Sequence, residues 1–128
     1  MTITHTPTAN GEIYINTDGA LLSRRLITNA DTGEPLTAAD LASTMLAVYR
    51  LTLLANGAEQ RDLIAASALP VSSVITDGIQ TDAEGNRYNF SYCVEGYFTT
   101  PGALYLAEYR LVTTDGHLIV ITARGRTQ

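Results

Sequence analysis

Asn86 to Arg126 reads NRYNFSYCVEGYFTTPGALYLAEYRLVTTDGHLIVITARGR, and this stretch decides the fold. Three runs of β-forming residues follow one another almost without gaps. Thr100-Pro101-Gly102 separates the first run from the second, and Thr114-Asp115-Gly116 separates the second from the third. In the first run Tyr88, Phe90, Tyr92 and Val94 fall on one side, and Arg87, Asn89, Ser91 and Cys93 on the other. That period of two marks a half-buried antiparallel strand. Ala103 to Thr113 and His117 to Arg124 then read as a hairpin, with Asp115-Gly116 as a two-residue type I′ turn, φ positive at both. This register sets Leu111 opposite Val120 and Val112 opposite Ile119. Both faces of the hairpin start apolar near the turn. One goes inward; the other is covered by a partner or by the N-terminal arm.

Working outward, residues 1–11 are rich in Thr, Pro and Asn and read as an arm, with residues 12–128 as one domain. Glu12 to Asn16 is a short strand, Asp18-Gly19 a turn, Leu21 to Thr28 a strand, and Asn29 to Pro35 a polar loop. Residues 36–57 satisfy two patterns. Thr37 with Asp40 three residues on starts a helix that Gly57 ends. Alternation along 44–54 instead makes a strand with both faces apolar. Consistency with the β-rich remainder favours a short helical turn at 37–42 and then a central strand. Residues 58–70 read as a short helix ended by Pro70 or as an irregular crossing between sheets. Val71 to Ile75 is β-branched and reads as a strand, and Asp82 to Asn86 as a turn. The expected fold is all-β, an antiparallel sandwich with short helical turns in the 37–68 region.

A chain of 128 residues that is 45% apolar and 16% charged buries a core without staples and is too hydrophobic for disorder. Its apolar runs are too short for a transmembrane helix. The first residues, MTITHTP, have neither the basic start nor the apolar centre of a secretory signal. A single cysteine, Cys93, cannot staple the fold and fits synthesis in the cytoplasm. There is no lysine, and eight arginines face thirteen acids for a net charge of −5. That balance argues against a nucleic-acid partner, which needs a clustered positive surface. Arg124 and Arg126 read as part of a solvated tail.

No cluster carries obvious chemistry. His5 and His117 lie at opposite ends of the chain with no spaced second ligand. Cys93 has no histidine beside it and reads as a small core thiol. Asp77, Thr81, Asp82, Glu84 and Asn86 have the flavour of a calcium loop but not the twelve-residue spacing, and turn chemistry accounts for them. Glu108, next to Tyr109 and Arg110, reads as one side of a cross-strand ion pair or as part of an exposed face. The motifs of phosphate cradles, serine nucleophiles and zinc hydrolases are absent. The expectation is a non-enzyme with no catalytic residue, metal or cofactor. Tyr88, Phe90, Tyr92, Tyr97 and Phe98 fall within eleven residues. Such rings build a β core, an interface or a sugar platform. As contact residues the sequence offers Thr6 and Pro7 of the arm, Tyr14, Tyr97 and Phe98.

Pro101-Gly102 followed by Tyr105, with Leu104, Leu106 and Tyr109 around it, resembles the start of the sixth strand in fibronectin type III and related immunoglobulin-like sandwiches. There a tyrosine serves as a corner residue whose hydroxyl bonds to nearby backbone. DTGEPLTAAD at 31–40 resembles a segment in the N-terminal immunoglobulin-like domain of phage baseplate upper proteins. TDAEGNRYNFSYCVEG and PGALYLAEYRLVTTDG are similar to small immunoglobulin-like proteins encoded among phage and prophage virion genes. The likeness covers roughly residues 18–124. It departs from the pattern in lacking a tryptophan and a cysteine pair, and 58–70 is longer than a simple hairpin needs.

The alternating runs and turn signals give about seven strands, with Asp115 and Gly116 in structural roles at the hairpin. The resemblance implies that the sandwich is immunoglobulin-like, with Pro101, Gly102 and Tyr105 in structural roles. It implies a structural protein of a phage or phage-like particle, in capsid decoration, head–tail connection or tail and baseplate attachment. Its partners would be capsid, portal or tail proteins and copies of itself, with no nucleic acid and no membrane. It would be made in the cytoplasm of a bacterial host and reside in the virion. The alternative is a carbohydrate- or host-surface-binding module that uses Tyr97 and Phe98.

Overall fold

A computed structural model describes residues 3–5, 13–15 and 19–127, and these are mostly β-strand, joined by turns and two short 3₁₀ turns. The strands are β1 (Ile3–His5), β2 (Ile13–Ile15), β3 (Ala20–Arg25), β4 (Ile27–Asn29), β5 (Leu41–Leu53), β6 (Glu59–Leu69), β7 (Ile75–Thr81), β8 (Arg87–Glu95), β9 (Leu104–Thr113) and β10 (Leu118–Thr127). One sheet has five strands in the order β2-β10-β9-β5-β6, and a second has three in the order β3-β8-β7. Pairing is antiparallel apart from β2 on β10. The expected all-β sandwich is therefore the fold.

Alternation builds the core. Tyr105, Ala107, Tyr109 and Leu111 of β9, with Leu46 and Val48 of β5 and Ile119 and Ile121 of β10, point at the second sheet. That sheet answers with Leu21, Phe90 and Val94. Tyr109 meets Phe90 edge-on at 5.0 Å and Tyr92 at 6.0 Å, an arrangement that rings prefer over face-to-face stacking. Two polar side chains join the layers to their surroundings. Arg25, at the end of β3, donates to the Thr122 carbonyl of β10 at 2.9 Å and so bridges the sheets. Asn89 of β8 is buried and bonds to the backbone of Ile27 and Leu36.

Three hairpins close in the same way. In β5–β6, β7–β8 and β9–β10, the amide of the first loop residue bonds to the carbonyl four residues on, and the glycine amide bonds back to the first carbonyl. Gly57, Gly85 and Gly116 hold φ of +85° to +90°. This is a three-residue loop, a turn followed by a left-handed glycine that makes a bulge. The expected two-residue turn at Asp115-Gly116 is thus corrected. Asp115 has no positive φ, and the pairs are Leu111 with Ile119 and Val112 with Leu118. The carboxylate of Asp115 accepts from the Thr113 hydroxyl, which favours the longer loop. Gly116→Val should still cost about 1 kcal/mol or more, because a β-branched residue resists that backbone region. An unchanged thermal midpoint for this variant would contradict the loop geometry.

Two further expectations change. Residues 58–70 are neither helix nor crossing: Glu59–Leu69 is an extended strand paired along β5. A 3₁₀ turn does occupy Ala38–Asp40, with the Thr37 amide donating to the Asp40 carboxylate at 2.9 Å, but β5 already begins at Leu41. A second such turn lies at Val71–Ser73, where a strand was expected. Within the 1–11 arm, Ile3–His5 pairs with β4 and Ile3 packs against the core, so this part is not free. The rest of the arm lies outside the described residues.

The corner reading of Tyr105 agrees with the geometry. Thr100 to Ala103 is a turn with Pro101 second and Gly102 third, the latter at φ +72°, as a type II turn requires. Tyr105 is buried, and its hydroxyl accepts the Thr100 amide at 3.1 Å. Tyr105→Phe is expected to cost about 1 kcal/mol, the net worth of one hydrogen bond. Chemical denaturation with an unchanged slope measures this directly, and a neutral result would remove the hydroxyl from the corner.

Candidate interface

The least satisfied element is β6. It is an eleven-residue strand at the edge of the larger sheet, and among the described residues β5 is the one strand it pairs with. The three-stranded sheet does not reach over it, so nine of its eleven residues are exposed and the other two half-exposed. Leu63 is 59% exposed, Ile64 is exposed beside it, and Leu53 at the hairpin tip is 73% exposed. With the end of β5 it forms a wing that projects beyond the sandwich: every residue from 52 to 64 is exposed. A solitary two-stranded ribbon is marginal in water, and clustered exposed leucines favour a partner.

The outer edge of β6 is nevertheless guarded. Val48 lies opposite Ala65 and Tyr49 opposite Leu63, so Ile64 is an inserted residue, a bulge. Glu59, Arg61 and Asp62 charge the strand on the tip side of it. Bulges and charges are the usual devices that discourage strand addition.

The face of the five-stranded sheet that points away from the core is partly roofed. Glu108 lies between Ala47 of β5 and Thr122 of β10, where small neighbours leave room for its chain. It accepts from Arg61 at 3.3 Å and Arg110 at 2.9 Å and is only 8% exposed. Arg61 also stands over the Tyr49 ring. Arg124 of β10 grips Glu59 of β6 with both its nitrogens, one at 3.0 Å. This pair spans the two strands between them, β9 and β5, and Leu51 and Leu106 on this face are buried. Arg124 holds the Glu59 carboxyl below its ordinary range.

Register separates two poles along the strand direction. The wing pole holds the β5–β6 tip and the 96–103 connection. A cleft of about 260 Å³ opens there, lined by Arg50, Leu51, Leu53, Gly102, Leu104 and Arg126 among others. Arg126 donates to the Gly102 carbonyl at its rim. The opposite pole gathers the 38–40 turn, the 82–86 turn and the 113–117 turn. Asp77 accepts the Ala38 amide at 2.9 Å, and the Asp40 carbonyl accepts the Thr114 amide at 2.9 Å, which ties these segments together. Asp40, Asp77, Asp82, Glu84 and Asp115 lie at this pole, with Arg87 and Arg24 near them.

Of the contact residues expected from sequence, Tyr97 and Phe98 have described side chains, and these two part company. Thr6 and Pro7 lie outside the described residues. Tyr14 stands in β2 opposite Arg126. Tyr97 is 37% exposed, but Phe98 is 7% exposed and stacks edge-on against Tyr105 at 5.1 Å. Phe98 is therefore a core residue, and the adjacent ring pair is split. Reading the sequence missed Leu53, Leu63 and Ile64. The available signal was Asn56-Gly57, a hairpin turn that turns 58–69 into the partner of β5.

The remaining polar groups are occupied locally. Asp82 accepts the amides of Glu84 and Asn86, and the Asn86 amide is the main cause of its lowered pKa. Cys93 is exposed on β8, and partial burial, together with Glu95, raises its thiol pKa. Among the described residues no three His, Cys, Asp or Glu side chains are grouped to hold a metal, and no helix is long and apolar enough to cross a membrane. Comparison with known protein families, with curated proteins and with solved structures gives no match for this chain.

Proposed function

We propose that the chain is a non-enzymatic structural component of a phage or phage-like particle, acting through protein–protein assembly. The observation that carries this reading is the β5–β6 wing, a long strand held by one neighbour and carrying leucines into solvent. A subunit completed by a neighbour has a use for such an element, whereas a free-standing domain gains nothing from it. The partners are capsid, portal or tail proteins and further copies of the chain, in keeping with the resemblance to immunoglobulin-like virion proteins. Glycan binding is the weaker reading, since Phe98 is buried and leaves Tyr97 without its second ring.

The test is quantitative mass spectrometry of purified particles made with the wild-type chain or with Leu63→Glu. Leu63 is well exposed, so the substitution leaves the isolated fold intact. The wild type should be present at a fixed copy number, and the variant should be depleted by roughly tenfold or more, the equivalent of about 1.4 kcal/mol at the contact. Absence of the wild type from particles rejects the reading. Normal occupancy of the variant removes the wing from it.

A further inference from the structure

We propose that the occupant of the wing-pole cleft is the opposite pole of a second copy of this chain, so that copies join head to tail. This rests on the reading that the chain acts by assembly, and it names the surface and the partner.

Three observations lead to it. First, the cleft is floored by leucines and rimmed by Arg50 and Arg126, with the exposed side chains of Leu53 and Leu54 beside it. Its ligand should carry a carboxylate on a small, partly apolar tip. Second, the other pole presents such a tip. The turn Asp82-Ala83-Glu84-Gly85-Asn86 is a tight three-residue loop with Ala83 and Glu84 exposed. Asp82 is consumed by the amides of its own turn, and Asp115 by Thr113 and His117, so Glu84 is the carboxylate that the 82–86 turn presents outward. Acids outnumber arginines at this pole, whereas the lining of the cleft holds Arg50 and Arg126 and no acid, with Asp62 opposite Arg50 on β6. Complementary fields of this kind steer and orient association. Third, edge-to-edge pairing through β6 is discouraged by the Ile64 bulge and by Glu59, Arg61 and Asp62.

The two surfaces differ and sit at opposite poles of the sandwich, the cleft on the five-stranded sheet and the acidic turn on the three-stranded one. Each copy therefore has one of each to offer. Such a heterologous contact closes into a ring when the rotation permits, and otherwise extends as a filament.

Sedimentation velocity on the full chain tests this, at about 50 mM and about 500 mM salt, where the screening length is several-fold different. The wild type should form concentration-dependent oligomers at low salt that dissociate at high salt. Arg50→Glu and Glu84→Arg, both at exposed positions, should each weaken association by roughly tenfold or more. Mixed together, these two variants should form a one-to-one dimer that grows no further, because one intact cleft meets one intact acidic turn. The double variant Arg50→Glu/Glu84→Arg should assemble again. Leu53→Glu, which leaves both poles' other charges in place, should weaken association as Arg50→Glu does. A wild type that stays monomeric at low salt overturns the proposal. So does a mixture that forms no dimer, or single variants that assemble as the wild type does. None of these results bears on whether the chain is found in particles, so the two readings fail separately.

Discussion

Replacing Asn89 with alanine is expected to destabilise the fold by about 3 kcal/mol, from the cost of buried backbone groups left without partners. For a chain of this size that lowers the thermal midpoint by roughly 10 °C. Asn89 sits on the side of β8 that points away from the core, yet it is fully buried because residues 27–36 fold over it. Its Oδ1 accepts the Ile27 amide at 2.8 Å, and its Nδ2 donates to the carbonyls of Ile27 and Leu36 at 2.8 and 3.0 Å. One side chain thus serves as a strand would for this segment. Alanine strands the Ile27 amide and the Leu36 carbonyl in a dry site. Ile27 and Leu36 are themselves core residues, so the segment cannot move away to find water without exposing them. Asn89→Asp should be at least as damaging, because it loses both donated bonds. A midpoint change of under about 3 °C for the alanine variant would show that the segment is held by packing alone.

Arg25→Ala should be the next most costly change, at about 2–3 kcal/mol, the range for hydrogen bonds made by a charged group together with the packing of its stem. Leu21, Ser23 and Arg25 share the inward side of β3, so the guanidinium lies among core residues. Burial lowers its pKa from the ordinary arginine value. Its guanidinium donates to the Arg24 carbonyl at 2.7 Å and to the Thr122 carbonyl at 2.9 Å. The second of these belongs to the other sheet, so the side chain fastens the two layers. Arg25→Met keeps most of the stem and should recover part of the loss. Urea denaturation of the three proteins separates the two contributions, and an equal loss for Ala and Met would assign the whole effect to the hydrogen bonds.

The legible part of the fold was the part in which one face is wet and the other dry. β8 announces itself through Tyr88, Phe90, Tyr92 and Val94, and of these Phe90, Tyr92 and Val94 pack into the core, while Tyr88 lies under the Arg24 guanidinium. β9 and β10 were legible as strands, but their register was not. Asp-Gly is compatible with both a two-residue and a three-residue loop, and all three hairpins take the longer one, in which the glycine alone is left-handed. β6 gave no periodic signal at all. A strand exposed on both faces has no reason to alternate, and EQRDLIAASAL is made largely of good helix formers. Pairing with β5 overrides that propensity.

The contact surface was hidden for the same reason. Leu63 and Ile64 look like core in sequence and are not, while Phe98 looks like one of a ring pair and is core. Which of two adjacent rings turns inward depends on where Tyr105 stands, and that is set by pairing distant in sequence. The burial of Glu108 follows from Ala47 and Thr122 on flanking strands, a juxtaposition that only the completed sheet creates.

The three hairpins share one loop geometry, and this has a consequence for the order of folding. Each closes on neighbours in the chain, a process of microseconds. The seam that joins them, β5 to β9, brings together residues as far apart as Leu41 and Thr113. Closing so long a loop must precede the contacts that repay it, and topologies with such distant pairings are slow. Because an isolated ribbon is marginal, the hairpins should form and open many times before the central seam closes on them. Whenever β6 is zipped onto β5 in that interval, its charged, bulged edge lies outward, so the ribbon most exposed to encounters with other nascent chains is also the one least able to recruit them as extra strands.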